Sequence, residues 1–184
     1  MQSKWPISAG RRRVSRGDTM MELAFFILPT FAILCGFFDL GMAFFTWNTL
    51  QNAVREGARY AITYQVDSSN SQTTSIKNVV AGWSFNFVTA SATSSSGTPY
   101  VDVQFYTQPT TTTPNGTNVT SLSNANAVGN LVEVSIKAYP YTWLMPFSGS
   151  FSGVFFSTPG STLGINVFST DLLGGSPPSG VPPK

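Results

Sequence analysis

A run of 25 residues, from Leu23 to Trp47, contains a single ionisable side chain, Asp39. About 20 apolar residues are enough to cross the hydrocarbon core of a bilayer as an α-helix, so the run predicts a transmembrane helix. A cleaved secretory signal is the alternative, but its apolar core usually has about 7 to 15 residues and ends in a small-x-small site. The only cysteine, Cys35, lies inside the run, so an intrachain disulfide is excluded.

The basic residues are concentrated before this run. Five of the ten precede residue 17, whereas residues 48–184 carry five basic and five acidic side chains. The five are Lys4, Arg11, Arg12, Arg13 and Arg16. Lysine and arginine close to an apolar span stay in the cytoplasm, so residues 1–17 are predicted to be a cytoplasmic leader and the chain after the span to be exported.

The helical pattern continues past the apolar run without a proline. Apolar and small residues recur at spacings of three and four, and form one stripe: Leu50, Ala53, Val54, Gly57, Ala58, Ala61 and Ile62. One helix from Thr19 to Tyr64 is therefore predicted, within a segment 18–65. At about 1.5 Å per residue its second half projects beyond the bilayer. We expect the stripe around Gly57 to pack on the exported domain of the same chain.

The exported region, residues 66–173, shifts to Ser, Thr, Asn and Gly. Residues 75–87 predict a short amphipathic helix that buries Ile76, Val79, Val80 and Trp83. Alternating apolar side chains predict neighbouring antiparallel strands at residues 100–106 and 132–139, and residues 165–168 predict a weaker strand. The predicted fold is α+β: a long N-terminal transmembrane helix that continues outside the membrane, followed by a small exported domain with a short helix and an antiparallel sheet.

Two polar segments flank these elements. Residues 107–130 are long for a hairpin and predict a surface loop that is mobile or used for contacts. Residues 174–184 are rich in Gly and Pro and predict a disordered or extended tail.

The composition argues against catalysis. The chain has no histidine and its one thiol lies in the apolar run, so most hydrolase and metal sites are excluded. A serine paired with Lys77 or Lys137 remains formally possible. Asp102 and Glu133 lie on the outward phase of their strands, where a solvated charge is ordinary. We expect no enzymatic activity, no metal and no cofactor, and no basic aromatic surface indicates nucleic acid.

Glu22 stands at the start of the apolar run, where a charge needs a partner or access to water. Gly17, four further residues and Glu22, preceded by basic residues, resemble the cleavage signature of prepilin-type proteins. Cleavage after Gly17 would make Asp18 the first residue and create an amine with a pKa of about 8, which a neighbouring subunit's Glu22 could contact. The alternative is a first-turn glutamate favoured by the helix dipole.

The stretch "ELAFFILPTFAILCGFFDLGMAFFTWNTLQNAVREGARYA", residues 22–61, resembles the TadE/TadF family of pilus assembly proteins, pseudopilins of the bacterial Tad (Flp pilus) system. The matching features are Glu22, Pro29, the acidic residue before Leu-Gly at Asp39, and a family motif of Arg55, Glu56, Gly57, Ala58, Arg59 and Tyr60.

The resemblance implies a minor pseudopilin, a structural component of pilus assembly that a prepilin peptidase matures. It implies single-pass insertion in the bacterial inner membrane, with the C-terminal domain periplasmic or extracellular. The implied partners are that peptidase, other pseudopilins or pilins, the inner-membrane assembly platform and membrane lipid.

Small residues on the apolar helix indicate where neighbouring helices approach. Ala32 and Gly36 are four residues apart, and Asp39 and Ala43 continue their face, so with Glu22 they form the predicted assembly interface. No basic side chain lies within a turn or two of Asp39, so we expect its partner to come from another subunit. A carboxylate that stays protonated or reaches water is the alternative.

Two other functions fit the sequence. An uncleaved, signal-anchored membrane protein whose exported domain is an adhesive or ligand-binding module would retain residues 1–17 and would not depend on Glu22. A membrane-tethered hydrolase would require a pocket that brings Asp102 and Glu133 together in a buried position.

Overall fold

The computed structural model describes residues 16–67, 70–94, 96–143 and 162–175, with side chains from Met20 onward. The elements are α1 (Arg16–Ile62), α2 (Gln72–Trp83), β1 (Val101–Tyr106), β2 (Leu131–Tyr141) and β3 (Leu163–Leu172). The chain divides into two compact units, residues 1–38 and 39–184. The predicted α+β class, with a long first helix followed by a short helix and an antiparallel sheet, is confirmed.

The sheet has the order β1-β2-β3, and both pairs of neighbours are antiparallel. Apolar side chains from the three strands share one face, since Val103 pairs with Val134 and Ile136 pairs with Val167. All four of these side chains are buried. The alternation in the sequence therefore identified the core face correctly, although β3 is longer than the predicted residues 165–168.

The pairing of β2 with β3 is interrupted between Ile136 and Tyr139 by a register shift. Ala138 at this bulge has φ 53°, the left-handed region that non-glycine residues rarely adopt. Its amide donates a hydrogen bond to Asn166 Oδ1 at 2.8 Å. Beyond the bulge β2 continues to Tyr141, further than the predicted end at residue 139.

Helix α2 begins earlier and ends earlier than the predicted residues 75–87. Ser71 is its N-cap, and the side chain of Ser71 accepts a hydrogen bond from the Thr74 amide at 3.3 Å. The helix ends at Trp83 with Ser84 as its C-cap, because Phe85 and Asn86, with φ values of 50° and 67°, leave the helical conformation. Ile76 and Val80 are buried as predicted, but Trp83 is exposed, so the prediction for that side chain was wrong.

The part of α1 within the second unit packs its predicted stripe on the domain. Leu50, Ala53, Val54, Ala58 and Ala61 are all buried. A Cβ added at Gly57 would lie 2.5 Å from Val80 Cγ2 and 3.4 Å from Val134 Cγ1, so this glycine permits a close approach to α2 and β2. The expectation that the stripe packs on its own chain is confirmed.

The loop at residues 107–130 is attached to the domain at several points. The Val119 amide donates to the Phe105 carbonyl at 2.9 Å, and Ala125 and Asn126 are buried. Much of the loop surface is exposed, as expected, but its second half contributes to the core. Of the predicted tail, Gly174 and Gly175 are described and residues 176–184 lie outside the described part, as do residues 1–15 of the predicted leader.

Candidate functional site

The residues of the predicted processing site lie in the first turns of α1. Gly17 and Asp18 follow Arg16, the first residue of the helix, and Glu22, its seventh residue, lies at the end of the second turn. The Glu22 side chain is exposed. The favourable interaction of a carboxylate with the helix dipole falls off within the first turn, so in this structure Glu22 is not the first-turn glutamate of the alternative interpretation.

The first unit presents apolar side chains on every side of α1. Phe25 is 81% exposed, and the other large apolar side chains of this part are also exposed. They are Met20, Met21, Leu23, Phe26, Ile27, Leu28, Phe31, Ile33, Leu34, Phe37 and Phe38. A helix that is apolar all round is covered by a membrane or by other helices. Among the described residues, α1 is the helix long and apolar enough to cross a membrane.

The predicted assembly interface includes residues of both units. Ala32 and Gly36, in the first unit, are partly exposed. Asp39 and Ala43, in the second unit, are 3% and 7% exposed. Asp39 and Ala43 are therefore covered by their own domain before any second subunit is considered.

Asp39 has a partner within the chain. The Tyr141 hydroxyl donates toward the Asp39 backbone carbonyl at 3.1 Å and toward Asp39 Oδ1 at 3.3 Å. This contact corrects the expectation of a partner from another subunit, because the end of β2 reaches a residue 102 positions earlier in the sequence. Tyr141 also packs edge-on against the Trp143 ring, with centroids 5.5 Å apart.

Three tyrosines of the second unit titrate above their ordinary range. Burial raises the pKa of Tyr141, and the charge of Asp39 and the hydrogen bond to it raise it further. Burial also raises the pKa of Tyr64 and of Tyr139. The folded chain therefore keeps these protons to a higher pH than the unfolded chain, whose tyrosines titrate near pH 10.

We predict that the exported domain loses stability above about pH 10. The contribution of the three tyrosines is present below that pH and is lost as the pH rises through their raised pKa values. The slope is at most about 1.4 kcal/mol per pH unit for each tyrosine. Urea unfolding of the full chain in detergent micelles between about pH 9 and about pH 11 measures it. Tyr141→Phe should give a shallower slope, and an unchanged free energy of unfolding across this range would contradict the prediction.

Some side chains of the family motif lie in the core and others lie at the surface. Gly57 and Ala58 are buried, and Tyr60 packs partly buried against the core. Arg55 is exposed, and Arg59 forms an exposed ion pair with Glu56 at 3.3 Å. A surface pair of this kind adds little stability, so the buried small residues explain the motif better than its charges do.

The outer face of the sheet carries the candidate catalytic charges. Lys137 Nζ lies 3.0 Å from Asp102 Oδ2, and both side chains are partly exposed. Asp102 pairs in register with Ser135 and Glu133 pairs with Gln104, so the two carboxylates are not directly opposed. Neither carboxylate is buried, and no group of His, Cys, Asp or Glu in the described ranges is arranged to hold a metal. Asp102 and Glu133 are therefore not brought together in a buried position, although Asp102 and Lys137 line one cavity with Ser94 and Ser96.

Sequence reasoning missed a buried polar network at the end of α1. Gln72 Nε2 donates to the Ala61 carbonyl at 3.1 Å, and Asn126 Nδ2 donates to Gln72 Oε1 at 2.6 Å. Gln72 and Asn126 are 1% and 2% exposed. The network adds a second hydrogen bond to the Ala61 carbonyl, which also accepts from the Tyr64 amide at 3.2 Å, and it ties the last turn of α1 to α2 and to the loop at 107–130. The signal for this network in the sequence was the place of Gln72, directly after the N-cap Ser71.

The sequence matches the family model described as TadE-like protein over residues 17–59. No curated protein and no solved structure matched the chain. The matched segment begins at Gly17 and ends within the family motif, at Arg59. The long apolar helix in this segment fits a single-pass membrane protein of a pilus system. Residues 17–59 are thus a TadE-like segment, and the family indicates a protein associated with the Tad pilus.

Proposed function

We propose that this protein is a minor pseudopilin, a structural component in the assembly of a Tad (Flp-type) pilus. It has no catalytic step of its own. It is inserted in the bacterial inner membrane by α1, with its N-terminus in the cytoplasm and residues 66–173 outside. A prepilin peptidase matures it by cleavage after Gly17.

The observation that carries the proposal is the apolar first unit of α1 within the TadE-like match. Its side chains from Met20 to Phe38 are exposed on all sides, apart from partly exposed small residues. Exposed apolar surface of this extent requires a lipid or protein environment. A pseudopilin uses both, because its helix is held in the bilayer before assembly and among other helices afterwards.

The clustered charges support the orientation and the cleavage. Arginine and lysine before residue 17 favour a cytoplasmic N-terminus, and the family match begins at the proposed cleavage site. Cleavage removes this basic segment and leaves an α-amino cation on Asp18. Glu22 of one subunit can then pair with this amine on a neighbouring subunit, which offsets the cost of holding the carboxylate among apolar helices.

The implied partners follow from the same geometry. Other pseudopilins or pilins would cover the apolar surface of α1 beside Ala32 and Gly36, where small side chains let helices approach. The inner-membrane assembly platform would receive the matured chain. Within the second unit Asp39 contacts Tyr141, so in this proposal Asp39 positions the domain on α1 and the subunit contacts fall to residues of the first unit.

We predict that Glu22→Ala leaves the chain in the membrane but reduces the amount of partner that co-purifies by about tenfold or more. The reason is that breaking one side of an interfacial charge pair costs about 2 kcal/mol or more. Co-purification of tagged chain with the other pilus proteins, solubilised from membranes, measures the effect. Glu133→Ala is the matched control, because Glu133 lies on the outer face of the sheet and away from α1.

Glu22→Gln separates charge from shape in the same experiment. If the charge pair operates, Glu22→Gln loses partner as Glu22→Ala does, and Glu133→Ala behaves like the parent chain. If Glu22→Ala recovers as much partner as the parent chain, Glu22 is a helix-end charge, and the assembly role assigned to it is wrong.

A further inference from the structure

Two large aromatic side chains are displayed to solvent where α2 ends. Trp83 is 55% exposed and Phe85 is 76% exposed. They belong to residues 83–87, here called the aromatic loop, which has the sequence "WSFNF" and carries no charged residue. Large exposed apolar side chains that are close in the sequence, in a segment without charge, indicate a surface that contacts an apolar partner.

The exposure of Phe85 is imposed by an ordered turn. Ser84 Oγ lies 2.7 Å from the Ala81 carbonyl and 3.1 Å from the Val88 carbonyl, and it accepts a hydrogen bond from the Val88 amide at 3.3 Å. Phe85 and Asn86 both have positive φ values. Two successive non-glycine residues in this region are strained, and such strain persists where the surroundings hold it in place and is concentrated at functional sites.

The aromatic loop is packed on α1 near the point where the helix is expected to leave the membrane. The Phe87 ring meets the Phe45 ring edge-on, with centroids 6.3 Å apart. Phe45 follows Leu23, the first residue of the apolar run, by 22 residues. About 20 residues cross the hydrocarbon core, so Phe45 falls at the level of the outer headgroups.

A second aromatic contact of the domain lies on the same stretch of α1. The Tyr141 hydroxyl bonds to Asp39, and the Tyr141 ring packs on Trp143. Asp39 precedes Phe45 by six residues, about 9 Å along the helix, so the domain also contacts α1 on the membrane side of Phe45. Tyrosine and tryptophan are enriched at that level in membrane proteins, because their rings combine an apolar body with a polar tip.

We propose that the aromatic loop is a membrane-interface anchor, in which Trp83 and Phe85 insert into the outer headgroup region of the bilayer that α1 spans. The inference rests on the membrane insertion of α1 in the proposed function. The occupant is lipid because the loop adjoins the membrane-spanning helix itself. The absence of charge in the loop indicates apolar insertion with no electrostatic attraction to lipid. The anchor would fix the rotation of the domain relative to the bilayer before assembly.

The test uses the full chain in vesicles of phosphatidylethanolamine and phosphatidylglycerol, with Cys35→Ala to remove the native thiol. Phe85→Cys carries an environment-sensitive nitrobenzoxadiazole label, and nitroxide attached to the lipid headgroups acts as quencher. Val128→Cys is the matched control, since Val128 is 53% exposed and the neighbouring Gly129 amide bonds to Leu173, beyond the end of β3. We expect blue-shifted, quenched emission at position 85 and aqueous, unquenched emission at position 128.

Resistance to alkaline carbonate extraction is measured on the same vesicles. Aqueous emission at position 85 in a carbonate-resistant chain overturns the anchor and leaves the proposed function intact. A blue shift that grows with the density of protein in the vesicle indicates a protein contact and also overturns the anchor. Release of the chain by carbonate means that α1 does not span the bilayer, and the anchor and the proposed membrane insertion then fall together.

Discussion

Gly57→Val is expected to lower the free energy of unfolding of the exported domain by about 3 kcal/mol, the upper part of the range for overpacked cores. A Cβ at this position would lie 2.5 Å from Val80 Cγ2, and Ile76 Cγ2 and Val134 Cγ1 are both within 4 Å. Valine adds two methyl groups beyond that Cβ, so α1 must move away from α2 and β2. Urea unfolding in detergent micelles, followed by circular dichroism, measures the loss.

Gly41→Val is the matched control for this prediction. Gly41 lies in the same helix, and a Cβ added there would meet nothing within 4 Å. Valine has a better helix propensity than glycine, so Gly41→Val should be neutral or slightly stabilising. Gly57→Ala should also lower the free energy of unfolding. This loss should be smaller in a Val80→Ala background, because Val80→Ala removes the methyl group nearest to the added Cβ. Equal stabilities of the Gly57→Val and Gly41→Val chains would show that no close approach occurs at Gly57.

The family motif contains both small and charged residues. Arg55, Glu56 and Arg59 are its most conspicuous residues, but their side chains lie at the surface of α1. Gly57 and Ala58 are the residues that α2 and the sheet cover. We therefore expect changes at the two small residues to lower domain stability more than changes at the charged ones.

Gln72→Leu is expected to destabilise the domain by a similar amount, about 3 kcal/mol. Leucine has about the same size but cannot donate to the Ala61 carbonyl or accept from the Asn126 amide. The buried Asn126 amide then loses a hydrogen bond, at a cost of about 1 to 3 kcal/mol, and the Ala61 carbonyl, which keeps the Tyr64 amide as a donor, loses one of its two hydrogen bonds, at about 1 kcal/mol. The last turn of α1 should also become less protected, which hydrogen exchange of the amides around Ala61 measures.

Asn78→Leu is the control for the network, because Asn78 lies on the exposed side of the same helix. A surface change of this kind is expected to stay within about 0.5 kcal/mol of the parent chain. Gln72→Leu and Asn126→Leu combined should cost less than the sum of the single changes, because they remove two partners of one network. Fully additive losses would contradict a coupled network.

Much of the fold could be predicted from local patterns. The α1 stripe and the alternation in β1 and β2 follow the periods of a helix and a strand, and these periods identified Val54, Val103 and Val134 as core. The bounds of α2 were harder, because Ser and Thr at 68, 69, 71, 73 and 74 all resemble an N-cap. Trp83 was misassigned because helical periodicity does not reveal that the helix ends there.

The contacts of the candidate site depend on residues far apart in the sequence. Tyr141 reaches Asp39 only because β2 extends past the bulge at Ala138. No local pattern predicts that extension, so the partner of Asp39 was sought in another subunit. The Gln72 network joins three segments in the same way. The composition of α1 and the position of Glu22 were visible in the sequence, since they depend on neighbouring residues alone.

Intact mass and N-terminal sequencing of the protein recovered from bacterial membranes show whether the chain is processed as a pseudopilin. We expect a mature chain that begins at Asp18, without the basic leader, and a leader that is retained when Gly17 is replaced by a bulky residue. A chain that begins at Met1 in membranes containing active prepilin peptidase would contradict this expectation and would favour an uncleaved, signal-anchored protein.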